Sequence, residues 1–232
     1  MMTSKEILEY YDSTSNRETR DDLRLAVKLV DYPNVDDSGV DGRMDDESRV
    51  DKSRVAIDCG CGAGSDIAFL RSKGFIVHAF DREQESIARC QKRFGDDKDV
   101  LLSQATFTTF EYPRASLIMA DASLYFCPED EFYLAWRKIT ASLLPGGIFI
   151  GSFLGPEDSM AISINSNGNN NQTLWSEVWV SSERKIRELL NGFELINLTE
   201  IRTTGESNGG EAYDWHIFSV LARKKGVEGD EN

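Results

Sequence analysis

The 232-residue chain reads as an α/β protein, a mostly parallel sheet covered by helices on both faces in three layers. Three observations carry this reading. From Arg54 onward, short apolar runs rich in Val, Ile and Phe alternate with helix-period segments. A glycine run, Gly60-Cys61-Gly62-Ala63-Gly64, separates the first of those runs from the helix that follows. Two strand-like stretches then close the chain with no helix between them, so the sheet ends in an antiparallel pair.

The first element is an amphipathic helix over 19–30, with Leu23, Val27 and Val30 on one face and Thr19 and Asp22 spaced as a capping box. Residues 31–51 carry eight acids against Arg43 and Arg49 without periodicity, which predicts a solvated loop. Asp37, Asp41 and Gly42 mimic part of a calcium loop, but Gly39 and Ser48 stand where ligands are needed, so no metal is expected. Strand "RVAIDC", a helix over about 63–73, strand "FIVHAF" and a helix over about 83–94 follow. Next come strands "DVLLSQA" and "ASLIMAD", a helix over 129–143 and strand "GIFIGSF". In that last helix Pro128 suits the first turn, three acids complement its positive end, and Phe132, Trp136, Ile139 and Leu143 share a face; "LPGG" at 144–147 stops it. The polar, Asn-rich 154–180 connection reads as lid-like. Ser181 or Ser182 caps a helix to Leu190. Strands over 193–202 and 215–224 flank a hairpin-like loop, "TTGESNGGEAYD".

Length allows one domain. We divide it into an N-terminal lid helix (1–30), an acidic loop (31–52), a core (53–155), the 154–180 connection, C-terminal helix and strands (181–224) and a tail (225–232). A formal charge of −14 repels phosphate backbones and anionic lipid, which argues against nucleic acid and membrane as partners. The longest apolar stretch, 146–155, is too short to span a bilayer, and "MMTSKEILEY" lacks the pattern of an export signal. Cys59, Cys61, Cys90 and Cys127 lack metal-ligand spacing and read as reduced thiols of a cytoplasmic protein, with Cys59 and Cys61 as small fillers. The N-x-T triplets at Asn171 and Asn197 then carry no glycan.

The chemistry concentrates at the glycine run, where every second side chain is given up to admit a ligand to main chain. A dinucleotide loop wants G-x-G-x-x-G or A, and the sixth position here is Ser65. An S-adenosylmethionine site shows an acid two residues before a G-x-G-x-G run, which Asp58 and Gly60, Gly62 and Gly64 match; a carboxylate there suits an ammonium and a sulfonium and repels a pyrophosphate. Asp81 ends the second strand and can take both ribose hydroxyls of either nucleoside. A nicotinamide-dependent oxidoreductase and a non-catalytic cofactor-binding protein stay open as alternatives.

Given these pieces, the chain resembles the class I S-adenosylmethionine-dependent methyltransferases over about residues 5–224. The likeness rests on "AIDCGCGAG", "VHAFD", "QATF", "MADASLYF" and "LLPGGIFIGSF". Within that class it is most similar to the small tellurite-resistance (TehB-like) branch, through "YYDSTSNRETR", "FCPEDEFYLAWRKI", "GSFLGPEDS" and "WHIFSVLARKK". The resemblance implies a Rossmann-like, seven-stranded sheet with a reversed last strand. It implies S-adenosyl-L-methionine as cofactor, S-adenosyl-L-homocysteine as product, and in-line methyl transfer driven by positioning and desolvation. Asp58, Gly60, Cys61, Gly62 and Gly64 fall to the methionine end, Asp81 to the ribose, and Arg82, Thr106 and Phe107 to the adenine. Ala120, Asp121 and Arg20 complete the cofactor set. Ser65 stands where some relatives carry arginine, and Gln104 where many carry an acid.

Methyl transfer needs no obligatory triad or metal. Tyr11, Asp121 and His216 are the candidate catalytic groups, and Tyr11, Arg17, Tyr125 and His216 the candidate substrate contacts, with the N-terminal helix and the 154–180 connection folding over them. His216 lies between Trp215 and Ile217 in a strand, where a satisfied histidine competes with a base, and Trp175, Trp179 and Trp215 read as core. The expected acceptor is a small molecule, with an anionic oxyacid, a carboxylate or a thiol as candidates, acted on by a monomer or homodimer.

Overall fold

The computed structural model describes residues 8, 11–31, 54–166, 178–207 and 210–226. The acidic loop with its calcium-like triad, Asn171, Trp175 and most of the tail lie outside them. A helical turn at 11–14 precedes α1 (Asp21–Asp31). Then follow β1 (Val55–Cys59), α2 (Ser65–Ser72), β2 (Ile76–Asp81), α3 (Gln84–Phe94), β3 (Val100–Gln104) and β4 (Ala115–Ala120). A 3-10 turn (Leu124–Phe126), α4 (Glu129–Ser142), β5 (Leu143–Leu154), α5 (Ser159–Ser166), α6 (Glu183–Leu189), β6 (Phe193–Glu206) and β7 (Ala212–Lys224) complete the order.

The seven strands lie in the order β3-β2-β1-β4-β5-β7-β6. β1 is buried along its whole length because β2 and β4 pair with it in parallel and helices cover both faces, which is why "VAIDC" shows no polar alternation. β7 runs antiparallel between β5 and β6, the expected reversal. From β1 the chain builds outward through β2 and β3, then returns to place β4 on β1's other side. That reversal opens a crevice at the carboxyl ends of β1 and β4, where ligands of such sheets bind.

On one face, α1, α2 and α3 bury Leu23, Val27, Ile67, Leu70 and Cys90 against Val77, Leu117 and Ile150. On the other, Phe132, Trp136 and Ile139 of α4 and Ile186 of α6 meet Ile118, Phe149 and Phe153. Trp179 stacks on Phe132 with ring centroids 3.7 Å apart, so it is core, whereas Trp215 is half-buried beside Tyr213. Each such large apolar side chain contributes about 1.5–3 kcal/mol on burial. A smaller cluster of Tyr125, Leu154 and Ala161, with Val178, Val180 and Ile217 against it, lies where β5 ends.

Three expectations are corrected. α4 ends at Ser142 because Leu143 turns extended, and "LPGG" falls inside β5, where pairing slips between Ala115↔Leu143 and Leu117↔Ile148. The loop expected over 203–214 is partly ribbon: 203–206 pair with 212–215, Glu206 opposite Ala212. Thr203, Thr204, Tyr213 and Trp215 favour extended backbone, and the pairing outweighs the nearby glycines. The 154–180 connection contains α5 and a bridge from Leu154 to Val180. The cap of α6 is Ser182, whose hydroxyl accepts from the Lys185 amide.

Candidate functional site

The glycine run turns from β1 into α2 with Gly60, Gly62 and Gly64 all at positive φ (77°, 52° and 78°), a conformation that L side chains resist. The Gly60 and Cys61 amides both donate to the Phe80 carbonyl, at 2.8 and 3.0 Å, which ties the turn to the end of β2. The expectation that all three positions are bare for a ligand is corrected. A Cβ on Gly60 would lie 2.5 Å from the Ser123 Cβ, and one on Gly64 2.7 Å from the Phe94 ring and 3.0 Å from Cys90 Sγ. Those two glycines admit protein. Gly62 alone faces ordinary contact, the Tyr11 ring at 3.8 Å.

Asp58 is 4% exposed, and its Oδ2 is buried with no hydrogen-bond partner. Burial, reinforced by neighbouring Asp66, pushes its pKa well above the usual carboxylate range. A buried acceptor left open at the head of a glycine loop is built to receive a donor, and an ammonium would supply both proton and charge. Asp81 holds two backbone donors, Gly62 N at 3.0 Å on Oδ2 and Glu83 N at 2.9 Å on Oδ1. Each carboxylate oxygen keeps a further lone pair for a hydroxyl. Burial raises the Asp81 pKa, against the lowering by these two amides and Ser86.

Residues 11–20 form a strap across this loop. Arg17 pairs with Asp66 at 2.8 Å; Arg20 pairs with Asp121 and lies 3.8 Å from Asp66. Burial lowers the Arg20 pKa, and its Nε is buried without a partner. From α3, Arg89 reaches Asp12 at 2.6 Å and lies over the Tyr11 ring at 5.8 Å, while Arg93 donates to the Ser15 carbonyl at 2.9 Å. Tyr11, Arg17, Arg20, Asp58, Gly62, Asp81 and Asp121 are thus linked around one turn. Asp66 joins them unforeseen; its signal in the sequence was an acid in the first turn of the helix behind the glycines. Ser123, which donates to the Cys59 carbonyl at 2.6 Å, was equally missed.

Other candidates are placed differently. Cys61 is buried with its thiol 3.7 Å from Ser86 Oγ and 4.0 Å from Cys90 Sγ, and Ala120 is fully buried in the core. Arg82 is exposed and pairs with Glu83 at 3.0 Å. Thr106 is exposed within a threonine cluster with Thr108 and Thr109, and half-buried Phe107 meets Phe80 edge-on at 5.3 Å. Tyr125 lies in the apolar cluster where β5 ends. His216 is corrected as a candidate base and substrate contact. It is 2% exposed, its Nδ1 accepts from the Glu157 amide at 3.1 Å, and its Nε2 then donates to Glu200 at 2.9 Å. No ring nitrogen is left to take a proton from a substrate. A surface groove of about 740 Å³ lined by Glu183, Arg184, Arg187, Glu188 and Asn191 shares no residue with the glycine loop, so the chemistry rather than the volume locates the site. Among the described residues there is no cluster able to hold a metal and no helix long and apolar enough to cross a membrane.

Residues 56–147 match the family described as "Methyltransferase domain". Over 100 residues the chain is 29% identical to the carboxy-S-adenosyl-L-methionine synthase of Vibrio atlanticus (strain LGP32), covering 40% of this chain and 41% of that protein. The corresponding enzyme of Vibrio parahaemolyticus is 28% identical over a stretch of the same length and share. The chain thus spans about two fifths of the curated relatives it matches. TehB from Haemophilus influenzae superposes with a TM-score of 0.59 at 14% identity, over 86% of this chain and 67% of that one. The 1,6-didemethyltoxoflavin-N1-methyltransferase of Burkholderia thailandensis, crystallised with S-adenosylhomocysteine, gives 0.56 at 18% identity, over 97% and 92%. At these identities the solved structures speak for the fold, and the family match for the segment that builds the glycine loop. Residues 56–147 are thus similar to a methyltransferase domain, and the fold that carries them is shared with these solved structures.

Proposed function

We propose that the chain binds S-adenosylmethionine in the β1–β4 crevice and transfers its methyl group to a small acceptor. The observation that carries this reading is the unpartnered Asp58 Oδ2 at the end of β1, just ahead of the glycine run, a buried acceptor matched to the cofactor's ammonium. Asp81 would take the ribose hydroxyls, and Arg20 the carboxylate through its buried, unpartnered Nε. The bound cofactor supplies an activated methyl on a sulfonium, so no metal or covalent nucleophile is required of the protein. The protein's own residues align and enclose: the strap excludes water at Tyr11, and the Arg17–Asp66 and Arg20–Asp121 pairs hold it down.

Both strap arginines already face carboxylates, so an anionic acceptor would have to displace Asp66 or Asp121. That weighs against an oxyacid or carboxylate and leaves a neutral thiol, hydroxyl or amine as the better-supported acceptor. Four buried, free cysteines suit a reducing, cytoplasmic setting, and the charge of −14 argues against nucleic acid.

Calorimetry with S-adenosylhomocysteine tests the reading. Heat is expected, with affinity lost about tenfold or more in Asp58→Asn and in Asp81→Ala; heat with NAD alone sinks the proposal. Mass analysis of the nucleoside product against a metabolite panel then separates methyl transfer from chemistry on the cofactor itself, the activity named for the Vibrio relatives.

A further inference from the structure

β6 is an outer strand of the sheet, and nothing among the described residues pairs with its free side. Fourteen residues long, it has neither proline nor lysine, the usual guards of an open edge. Its one irregularity, between Leu195 and Asn197, protects only the first third. Residues 199–206 are all exposed, including Ile201 at 39%.

We propose that this edge pairs antiparallel with β6 of a second copy, on a twofold axis at Ile201. The sequence around that residue, Thr199-Glu200-Ile201-Arg202-Thr203, reads the same from both ends with the charges exchanged. In this register Ile201 faces its own symmetry mate. Glu200 lies opposite Arg202 twice, and Thr199 opposite Thr203 twice. Opposed residues share a face of the joined sheet, so every pair is complementary: apolar with apolar, acid with base, hydroxyl with hydroxyl. A shift by one residue would put Glu200 opposite Thr203 on the wrong face. Such self-matching is what an isologous interface requires. Within one chain Arg202 already bonds Glu200 at 2.8 Å and contacts Glu157, and His216 Nε2 lies 2.9 Å from Glu200; both Glu200 and Arg202 are still 40% or more exposed, so the partner's pair extends this charge network across the axis. The ladder is short, which makes the dimer concentration-dependent rather than obligate.

Light scattering across a dilution series of the full chain should show a monomer–dimer equilibrium. Ile201→Lys sets two like charges on the axis and should weaken it at least about tenfold, with circular dichroism unchanged. Because the four native cysteines are buried, Ile201→Cys introduces an exposed thiol that a short thiol cross-linker should join across the axis. Glu206→Cys should not cross-link, since the two copies of residue 206 would lie roughly 34 Å apart along the paired strands. A monomer at every concentration, a dimer that folded Ile201→Lys leaves intact, or equal cross-linking at both positions overturns the proposal. Should Ile201→Lys fail to fold, the two cysteine variants decide alone.

Discussion

Asp58 near the end of β1 and Asp158 just after β5 are two buried carboxylates, 4% and 0% exposed, and their surroundings differ in kind. Asp158 accepts from the Tyr213 hydroxyl at 2.6 Å, the Met160 amide at 3.0 Å and the His216 amide at 3.0 Å. It rivets the start of α5 to β7. Asp58 keeps an oxygen with no partner. The lesson is that burial alone does not mark function. A satisfied buried acid holds the fold together, whereas an unsatisfied one costs stability that a ligand can return.

The sharpest way to break this contrast is to remove each acid. Asp158→Ala removes the acceptor of three donors, one buried and two part-buried, and should lower unfolding free energy by about 3 kcal/mol, read by urea denaturation, with S-adenosylhomocysteine affinity unchanged in the folded fraction. A loss of affinity without loss of stability would move Asp158 into the site.

The glycines sharpen it next. Gly60→Ala meets Ser123 as well as the cost of positive φ, and should destabilise by roughly 2–3 kcal/mol. Gly62→Ala bears only the backbone term, about 1 kcal/mol, yet should weaken cofactor binding more than its stability loss accounts for. Equal effects at both positions would mean that neither faces a ligand.

Asp58→Asn is expected to stabilise the ligand-free protein by about 1–2 kcal/mol near neutral pH while weakening binding. The sign follows from titration. The Asp58 pKa is raised in the folded protein, so the unfolded chain loses that proton first, and the native state loses stability as pH rises from about 4 toward the folded value. The stability gap between wild type and Asp58→Asn should therefore open with rising pH and close at acid pH, measured by thermal unfolding across a pH series. A gap that narrows upward would contradict the assignment.

The smallest effect belongs to the strap. Arg17 is 39% exposed, so its pair with Asp66 is partly screened, and Arg17→Ala should cost no more than about 0.5 kcal/mol of stability. Its effect on S-adenosylhomocysteine association should be larger than that on unfolding, and should fade in salt. An unfolding cost well above this would make the strap a structural element rather than a cover.

Much of the molecule was legible beforehand. Alternating apolar runs fixed the order of strands and helices, the spacing Asp58-Gly60-Gly62-Gly64 marked the turn after β1, and the end of β2 carries Asp81 against that turn; these signals are local, set by side-chain periodicity and backbone freedom. What long-range packing decides was not legible. Ser123, 63 residues from Gly60, determines why that glycine has no side chain. Glu157 and Glu200 occupy both nitrogens of His216, which its own neighbours in sequence could not reveal. Pairing of 203–206 with 212–215 overrode the nearby turn residues because two strands met. Sequence by itself determined most of the elements that form and where the glycine turn lies, since both follow from contacts within a few residues. Only the tertiary structure decided which polar groups are satisfied, because a hydrogen bond's second partner comes from wherever the fold brings it.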